Sequence, residues 1–195
     1  AGFNPGNGFR GSVSPSAWAR TRDGGLLAAG TLPSADTPQL AVLRLRRDGS
    51  IDALFAADGL ARVPTSLGPV TPPRWIEQEV VVQPDGRILV LTEVHRNSYD
   101  VIEDVELARL LPDGAPDPSF GTGGIVKIAP GTGSEWVVLD ALKDGRIRLS
   151  GDILIYLAAS GAPDAGSAQD DPELGPPARH WAIGEWTADG GVVVT

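Results

Sequence analysis

Short apolar runs separated by turn-forming residues dominate the chain. In Val80-Val81-Val82 and in Ile88–Leu91, every residue of the run is apolar. A strand with one face in water would alternate apolar and polar residues, so these runs indicate strands that are covered on both faces. No window of similar length shows a convincing helical period. The pattern therefore predicts an all-β fold in which sheets stack against one another.

An Asp-Gly pair recurs along the chain, each time just before an apolar run. The aspartates of these pairs are Asp23, Asp85, Asp144 and Asp189. The first two intervals are close to sixty residues, and the third is shorter. A two-residue Asp-Gly turn between strand-like runs is a strong hairpin signal, because glycine tolerates a positive φ and aspartate can bond to its own turn. We therefore predict one such hairpin in each repeat.

A second motif, Arg-x3-Asp-Gly-x2-Asp-x2-Phe-x3-Gly, lies between these pairs. Its first two copies place the same residue types in register, namely Arg44/Arg109, Asp48/Asp113, Asp52/Asp117 and Phe55/Phe120. An arginine and an aspartate at this spacing can form a bidentate pair. Because the pair recurs, we interpret it as a structural clamp and the phenylalanine as a packing anchor. A third, degenerate copy keeps Asp164 but has Tyr156 in place of the arginine.

Together the two motifs predict a propeller-like array of four-stranded antiparallel blades, with three repeats and a partial fourth. The repeats span 15–66, 74–130, 134–178 and 180–195 of a single domain that covers residues 1–195. The predicted strands are 16–22, 25–31, 39–47 and 59–64 in the first repeat, and 76–83, 87–94, 105–111 and 124–129 in the second. We expect segment 8–14 to complete the last blade and close a ring, since closure removes exposed sheet edges. The alternative is an open array, or a half-propeller that completes itself as a homodimer.

Residues 107–128 resemble the delta-60 β-propeller repeat closely, and residues 80–92 and 43–63 resemble it well. The resemblance rests on an Arg-Leu strand, on Asp-Gly-x2-Asp-x2-Phe-Gly-x-Gly-Gly, and on Pro-Asp-Gly-Arg-Ile-Leu. It implies a propeller-like fold and export from a bacterial cell, and it implies no reaction. Residues 160–180 depart from the repeat pattern.

Composition narrows the function classes. The net charge of −9 disfavours nucleic acid as a partner, because an acidic surface repels phosphates. The chain has no cysteine, so disulfide and thiolate chemistry are excluded, and no apolar run is long enough to span a bilayer. It begins at Ala1 and contains no methionine, which is consistent with a removed signal peptide or with trimming by a protease.

Few residues suggest chemistry. The two histidines, His95 and His180, are fewer than a metal site usually needs, so we expect surface histidines and no metal. No Gly-x-Ser-x-Gly motif is present, and Gly6–Gly11 lacks the strand and helix that a phosphate loop requires, so we expect no catalytic residue and no cofactor. The acidic stretches 100–106 and 164–173 are expected to be solvated loops rather than calcium sites.

Aromatic residues supply the remaining candidates. Four tryptophans fall in or beside first-strand positions and are expected in the core or between blades, namely Trp18, Trp136, Trp181 and Trp186. Trp75 is expected in a loop before its strand, where an exposed aromatic could bind a sugar or a protein. The candidate contact residues for a ligand or partner are Trp75, His95, Tyr99 and Trp181.

The sequence favours a non-catalytic, exported binding or interaction scaffold with a protein or carbohydrate partner. Its expected contact surface is formed by loops around 32–38, 66–75, 95–104 and 162–180. One alternative is a hydrolase or lyase with a site on the propeller axis, which would require a histidine to meet carboxylates. The other is a structural segment of a larger surface protein.

Overall fold

The computed structural model describes residues 14–32, 39–56, 58–68, 74–96, 102–129, 137–151, 154–162, 184–186 and 191–194. Regular secondary structure within these ranges consists of strands. They are β1 (Ser14–Arg20), β2 (Leu26–Leu32), β3 (Gln39–Leu45), β4 (Leu60–Arg62), β5 (Arg74–Val82), β6 (Ile88–Arg96), β7 (Ile102–Leu110), β8 (Ile125–Ala129), β9 (Val137–Ala141), β10 (Ile147–Gly151), β11 (Leu154–Leu157), β12 (Gly184–Trp186) and β13 (Gly191–Val194). Among the described residues, no helix has the length and apolar character to cross a membrane.

Each of the first two repeats forms four antiparallel strands, as the sequence predicts. Strands β1 to β4 make one sheet in chain order, and β5 to β8 pair in chain order in a second. The third repeat contributes the antiparallel strands β9, β10 and β11. The protein is thus an all-β, propeller-like array of blades.

The last repeat forms the hairpin of β12 and β13, and its position was not expected from the sequence. β13 pairs in parallel with β8, so the hairpin extends the second sheet to six strands. Ring closure by segment 8–14 stays a prediction, because residues 8–13 lie outside the described residues. The first described residue, Ser14, pairs with Thr31 inside the first sheet.

The second sheet is packed on both faces, which explains its consecutive apolar residues. Ile88 and Val90 of β6 join a cluster with the first sheet, whereas Leu89 and Leu91 join a cluster with the third. All four side chains are buried. The first strands also adjoin one another, because β1 contacts β5 and β5 contacts β9. This arrangement matches that of inner strands in neighbouring propeller blades.

The Asp-Gly turns are hairpin loops of three residues, one residue longer than predicted. In the first, Gly24 N donates to Thr21 O and Thr21 N donates to Gly25 O. This pattern is a type I turn followed by a glycine bulge, and Gly24 has a φ of 87°. The same pair of bonds recurs in the described turns 46–50, 83–87, 111–115, 142–146 and 158–162. The prediction of hairpins is confirmed, and the loop length is corrected.

Two segments expected to be loops are strands. Trp75 lies within β5 and not in a preceding loop, because the β5–β6 hairpin stays paired out to Arg74 and Arg96. The acidic stretch 100–106 lies largely within β7, which begins at Ile102. Glu106 of this strand is buried, so the expectation of a wholly solvated loop is wrong there. The acidic stretch 164–173 lies outside the described residues.

Candidate functional site

The strands divide each blade into two ends with different residues. The Asp-Gly turns and the clamp motif lie at one end, which we call the turn end. Because the strands are antiparallel, the connections from β2 to β3, β4 to β5, β6 to β7 and β8 to β9 all leave the opposite end, which we call the loop end. Scaffold and site residues can therefore be considered separately.

At the turn end, the predicted clamp joins the second and third sheets. Arg109 Nε lies 2.8 Å from Asp117 Oδ2, and both side chains are almost fully buried. The Arg109 guanidinium also donates to the carbonyl of Ala159 in the third sheet's turn. Phe120 is completely buried, and the arginine lies over its ring at 4.3 Å. A Cβ on Gly161 would come within 2.7 Å of that ring, so the phenylalanine requires a glycine there.

The same device joins the first sheet to the second. Arg44 lies 3.2 Å from Asp52 and donates to the carbonyl of Pro112, again in the next repeat's turn. Phe55 packs against Gly114 of that turn, where a Cβ would lie 2.9 Å from the ring. The interpretation of these residues as a structural clamp and a packing anchor is confirmed. The structure adds that each clamp contacts the next blade.

Burial and bonding oppose each other at Asp117. Burial raises the pKa of its carboxyl, whereas hydrogen bonds from Ser119 and the charge of Arg109 lower it. The lowering interactions are stronger together, and the pKa stays below the ordinary value of 3.8. Arg87 Nε lies 3.0 Å from the same carboxylate. Asp117 is therefore a buried anion shared by two arginines, of which Arg109 is buried and Arg87 is partly exposed.

At the loop end, four side chains of the β5–β6 hairpin share one face. Trp75 lies opposite His95 in the strand pairing, and Glu77 lies opposite Glu93. The Trp75 and His95 rings are stacked, with centroids 5.3 Å apart and planes 5° from parallel. Ligand atoms of Glu77, Glu93 and His95 all lie within 4.8 Å of one another. We call these three residues the Glu-Glu-His cluster.

His95 is the most deeply buried member of the cluster. Its side chain is 2% exposed, and Nε2 lies 3.3 Å from Glu93 Oε2 and 3.9 Å from Glu77 Oε2. Within the described part of the chain, neither ring nitrogen has a hydrogen-bond partner. Burial lowers the pKa of His95, opposed by the charge of Glu77. The expectation of a surface histidine is therefore wrong, because stacking and strand pairing carry it inside.

Glu93 is held by the third sheet. Its Oε1 accepts a 2.8 Å hydrogen bond from the amide of Val137, at the start of β9. Burial, together with the nearby charges of Glu77 and Glu79, raises the pKa of Glu93 to about 7 against the lowering effect of that hydrogen bond. Glu79 accepts a similar bond from Leu139, and burial raises its pKa as well. The carboxylates thus crowd the junction of the second and third sheets.

The cluster belongs to the second repeat only. When the repeats are aligned on their Asp-Gly turns, the cluster positions hold a different set of residues in the other two repeats, with one carboxylate, Asp152, among them. These are Pro15, Thr31 and Pro33 in the first repeat, and Trp136, Asp152 and Leu154 in the third. A requirement of the fold would recur in each blade, as the clamp does in the first two. The cluster is therefore not explained by the repeat architecture.

Of the four predicted contact residues, the structure brings Trp75 and His95 together, and Tyr99 and Trp181 lie outside the described residues. His180 and Trp136 also lie outside them. Trp18 was expected in the core or between blades, and its exposure of 48% excludes the core. Sequence reasoning missed Glu77 and Glu93, because the two-residue turn that it expects would place Glu77 opposite Val94 and not opposite Glu93.

The first two repeats carry turn, clamp and phenylalanine in the same order. These stretches are similar to a known β-propeller family. Residues 21–55 and 83–120 match the family model of a domain of unknown function, DUF5122, described as a β-propeller. Each match runs from an Asp-Gly turn to the clamp phenylalanine, which supports a propeller-like repeat family. The finer delta-60 assignment stays a prediction. The chain has no significant match among curated proteins or solved structures.

Proposed function

We propose that this chain is an exported, non-catalytic binding scaffold whose loop end contacts a protein or a carbohydrate. The observation that carries the proposal is that the two ends of the blades carry different kinds of residues. Recurrent clamps hold the blades together at the turn end, whereas the non-recurring polar residues gather at the loop end. Repeat proteins commonly place variable binding residues on one side of a constant frame.

The loop end favours a neutral or cationic partner. Glu77 and Asp104 are exposed there, and Glu93 and Glu103 lie close to the same strand ends. The whole chain has a net charge of −9. A cationic or neutral surface would meet this end without repulsion, whereas a polyanion would be repelled.

The test compares two substitutions that remove the same charge at opposite ends. Asp104→Asn acts at the loop end, and Asp48→Asn acts at the turn end, where asparagine can keep the bond to the Ser50 amide. The protein is screened against neutral, cationic and anionic polysaccharides and against basic proteins, with binding measured by biolayer interferometry. We expect Asp104→Asn to weaken binding of a cationic partner several-fold and Asp48→Asn to leave it unchanged. Equal effects of the two variants, or binding only to polyanions, would contradict the proposal.

Export is tested separately. Antibody detection in fractionated source cells should find the protein in the periplasm, at the cell surface or in the medium. Recovery from the cytoplasm alone would reject this part of the proposal.

A hydrolase or lyase is the second candidate, because His95 does meet two carboxylates. In that case Glu93 or His95 would act as the general base. Turnover of a polysaccharide that is abolished by His95→Gln and retained by Asp104→Asn would favour the enzyme over the scaffold.

A further inference from the structure

Three potential ligand atoms of the Glu-Glu-His cluster lie close together, and hydrogen bonds do not account for their arrangement. A buried polar group without a partner is destabilising, and His95 has two such nitrogens among the described residues. Its Nε2 lies instead between the carboxylate oxygens of Glu93 and Glu77. A cation placed among these three atoms would give the imidazole nitrogen a partner and would reduce the repulsion between the two carboxylates.

The ligand separations approach those around a small tetrahedral ion, and all three lie within 4.8 Å. Ligands about 2.0 to 2.1 Å from Zn²⁺ lie about 3.3 Å from one another in tetrahedral geometry. The separation between His95 Nε2 and Glu93 Oε2 is 3.3 Å, and that between His95 Nε2 and Glu77 Oε2 is 3.9 Å. Because the Glu77 side chain is half exposed, it can move the short remaining distance.

The surroundings orient the ligands as a metal site requires. The Val137 amide holds Oε1 of Glu93, which leaves Oε2 directed toward His95. Stacking on Trp75 fixes the plane of the imidazole. Outer contacts of this kind set ligand orientation in metal sites. The exposed Glu77 provides the route by which an ion would enter from solvent.

We propose that Glu77, Glu93 and His95 bind one divalent transition-metal ion, of which Zn²⁺ is the best fit, with a fourth position open to solvent. The donor set decides the class of metal: one imidazole nitrogen and two carboxylates suit Zn²⁺, whereas Ca²⁺ and Mg²⁺ prefer oxygen ligands alone. The expectation of no metal rests on the small number of histidines, and it does not consider glutamates that the hairpin brings beside His95. The site goes beyond the proposed binding function and does not depend on it.

The test uses Zn²⁺ itself on the 195-residue chain after chelator treatment. Isothermal titration should show one saturable Zn²⁺ site, and Co²⁺ should give the visible absorption of a tetrahedral centre with a nitrogen ligand. Glu77→Gln, a change at a half-exposed position, should weaken Zn²⁺ binding at least about tenfold. His95→Gln should weaken it further and should remove the increase in melting temperature that Zn²⁺ gives the wild type.

Glu79→Gln is the matched control. Glu79 lies two residues from Glu77 on the same face of β5 and carries the same charge, but it is outside the cluster. This variant should keep Zn²⁺ affinity within about threefold of the wild type, since Glu79 supplies no ligand atom to the cluster and glutamine can still accept the bond from the Leu139 amide. Three results would each overturn the proposal: no saturable binding to the wild type, wild-type affinity in His95→Gln, or equal losses in Glu77→Gln and Glu79→Gln. Circular dichroism of each variant separates loss of the site from loss of the fold.

Discussion

Replacing Asp117 with asparagine tests whether burial determines the strength of the clamp between blades. In the second repeat, the Arg109 and Asp117 side chains are 4% and 3% exposed and lie 2.8 Å apart. Asparagine can still accept the Ser119 amide bond but cannot neutralise Arg109. Breaking a buried ion pair leaves an uncompensated charge and costs about 3 to 5 kcal/mol. We expect the free energy of unfolding to fall by about that amount.

The first repeat supplies the comparison, because the same motif is more exposed there. Arg44 and Asp52 are 20% and 16% exposed and lie 3.2 Å apart. Partial solvation reduces the value of such a pair, so Asp52→Asn should lower the free energy of unfolding by only about 1 kcal/mol. Urea unfolding at pH 7, followed by tryptophan fluorescence, measures both. The exposed turn variant Asp113→Asn, which can keep its bond to the Ala115 amide, should change stability by less than about 0.5 kcal/mol.

Acid titration gives the same experiment a second measurement. The pKa of Asp117 is lower in the folded protein than its ordinary value of 3.8, so its contribution is present above that pH and is lost as the pH falls through the folded pKa. The difference in stability between wild type and Asp117→Asn should therefore shrink below about pH 4. Equal losses for the Asp117 and Asp52 variants at pH 7, or a difference that grows in acid, would refute the reasoning.

Two further predictions concern packing and local structure. Gly161→Ala should destabilise the protein by about 2 to 4 kcal/mol, because alanine would combine a positive φ with a clash against Phe120, whereas Gly123→Ala carries the φ strain of about 1 kcal/mol without a neighbour. Equal losses in urea unfolding would contradict this. Glu106→Ala should raise hydrogen exchange of the Ser66 amide at least about tenfold, because Glu106 accepts that amide's bond, and Glu106→Gln should preserve most of the protection. Unchanged exchange in the alanine variant would show that the segment is held by other contacts.

Much of the frame could be predicted from local sequence. Six described turns share one geometry, and five of them contain an Asp-Gly pair. The sixth has Ser160 before Gly161. In each turn the glycine adopts the positive φ that the bulge requires. Consecutive apolar residues such as Ile88 to Leu91 indicate burial on both faces. Recurrence identified Arg109 and Asp117 as structural, because a fold requirement repeats with the fold. The turn and strand signals depend on near neighbours in the chain, and recurrence requires only that one repeat be compared with the next.

The site could be predicted only in part. Trp75 and His95 were singled out individually, but their stacking depends on a hairpin that stays paired from Val82 out to Arg74. Glu77 and Glu93 were missed because each, read alone, is an ordinary charged residue on a strand. Counting outward from the three-residue turn pairs them, but the two-residue turn expected from the sequence would have placed Glu77 opposite Val94, since a hairpin turn fixes the register of both strands.

The sequence by itself determined the strands, the turns and the clamp, because each follows from local backbone preference or from a motif that recurs in the next repeat. Only the tertiary structure decided that β9 covers the face of the β5–β6 hairpin that carries His95. This packing helps to bury Glu93 and brings the Val137 amide to one of its carboxylate oxygens, beside the buried imidazole. Polar residues on a strand are ordinary surface residues when solvent covers them. They form a candidate site here because a neighbouring sheet buries them close together. That neighbour is more than forty residues away in the chain, beyond what a local pattern can specify.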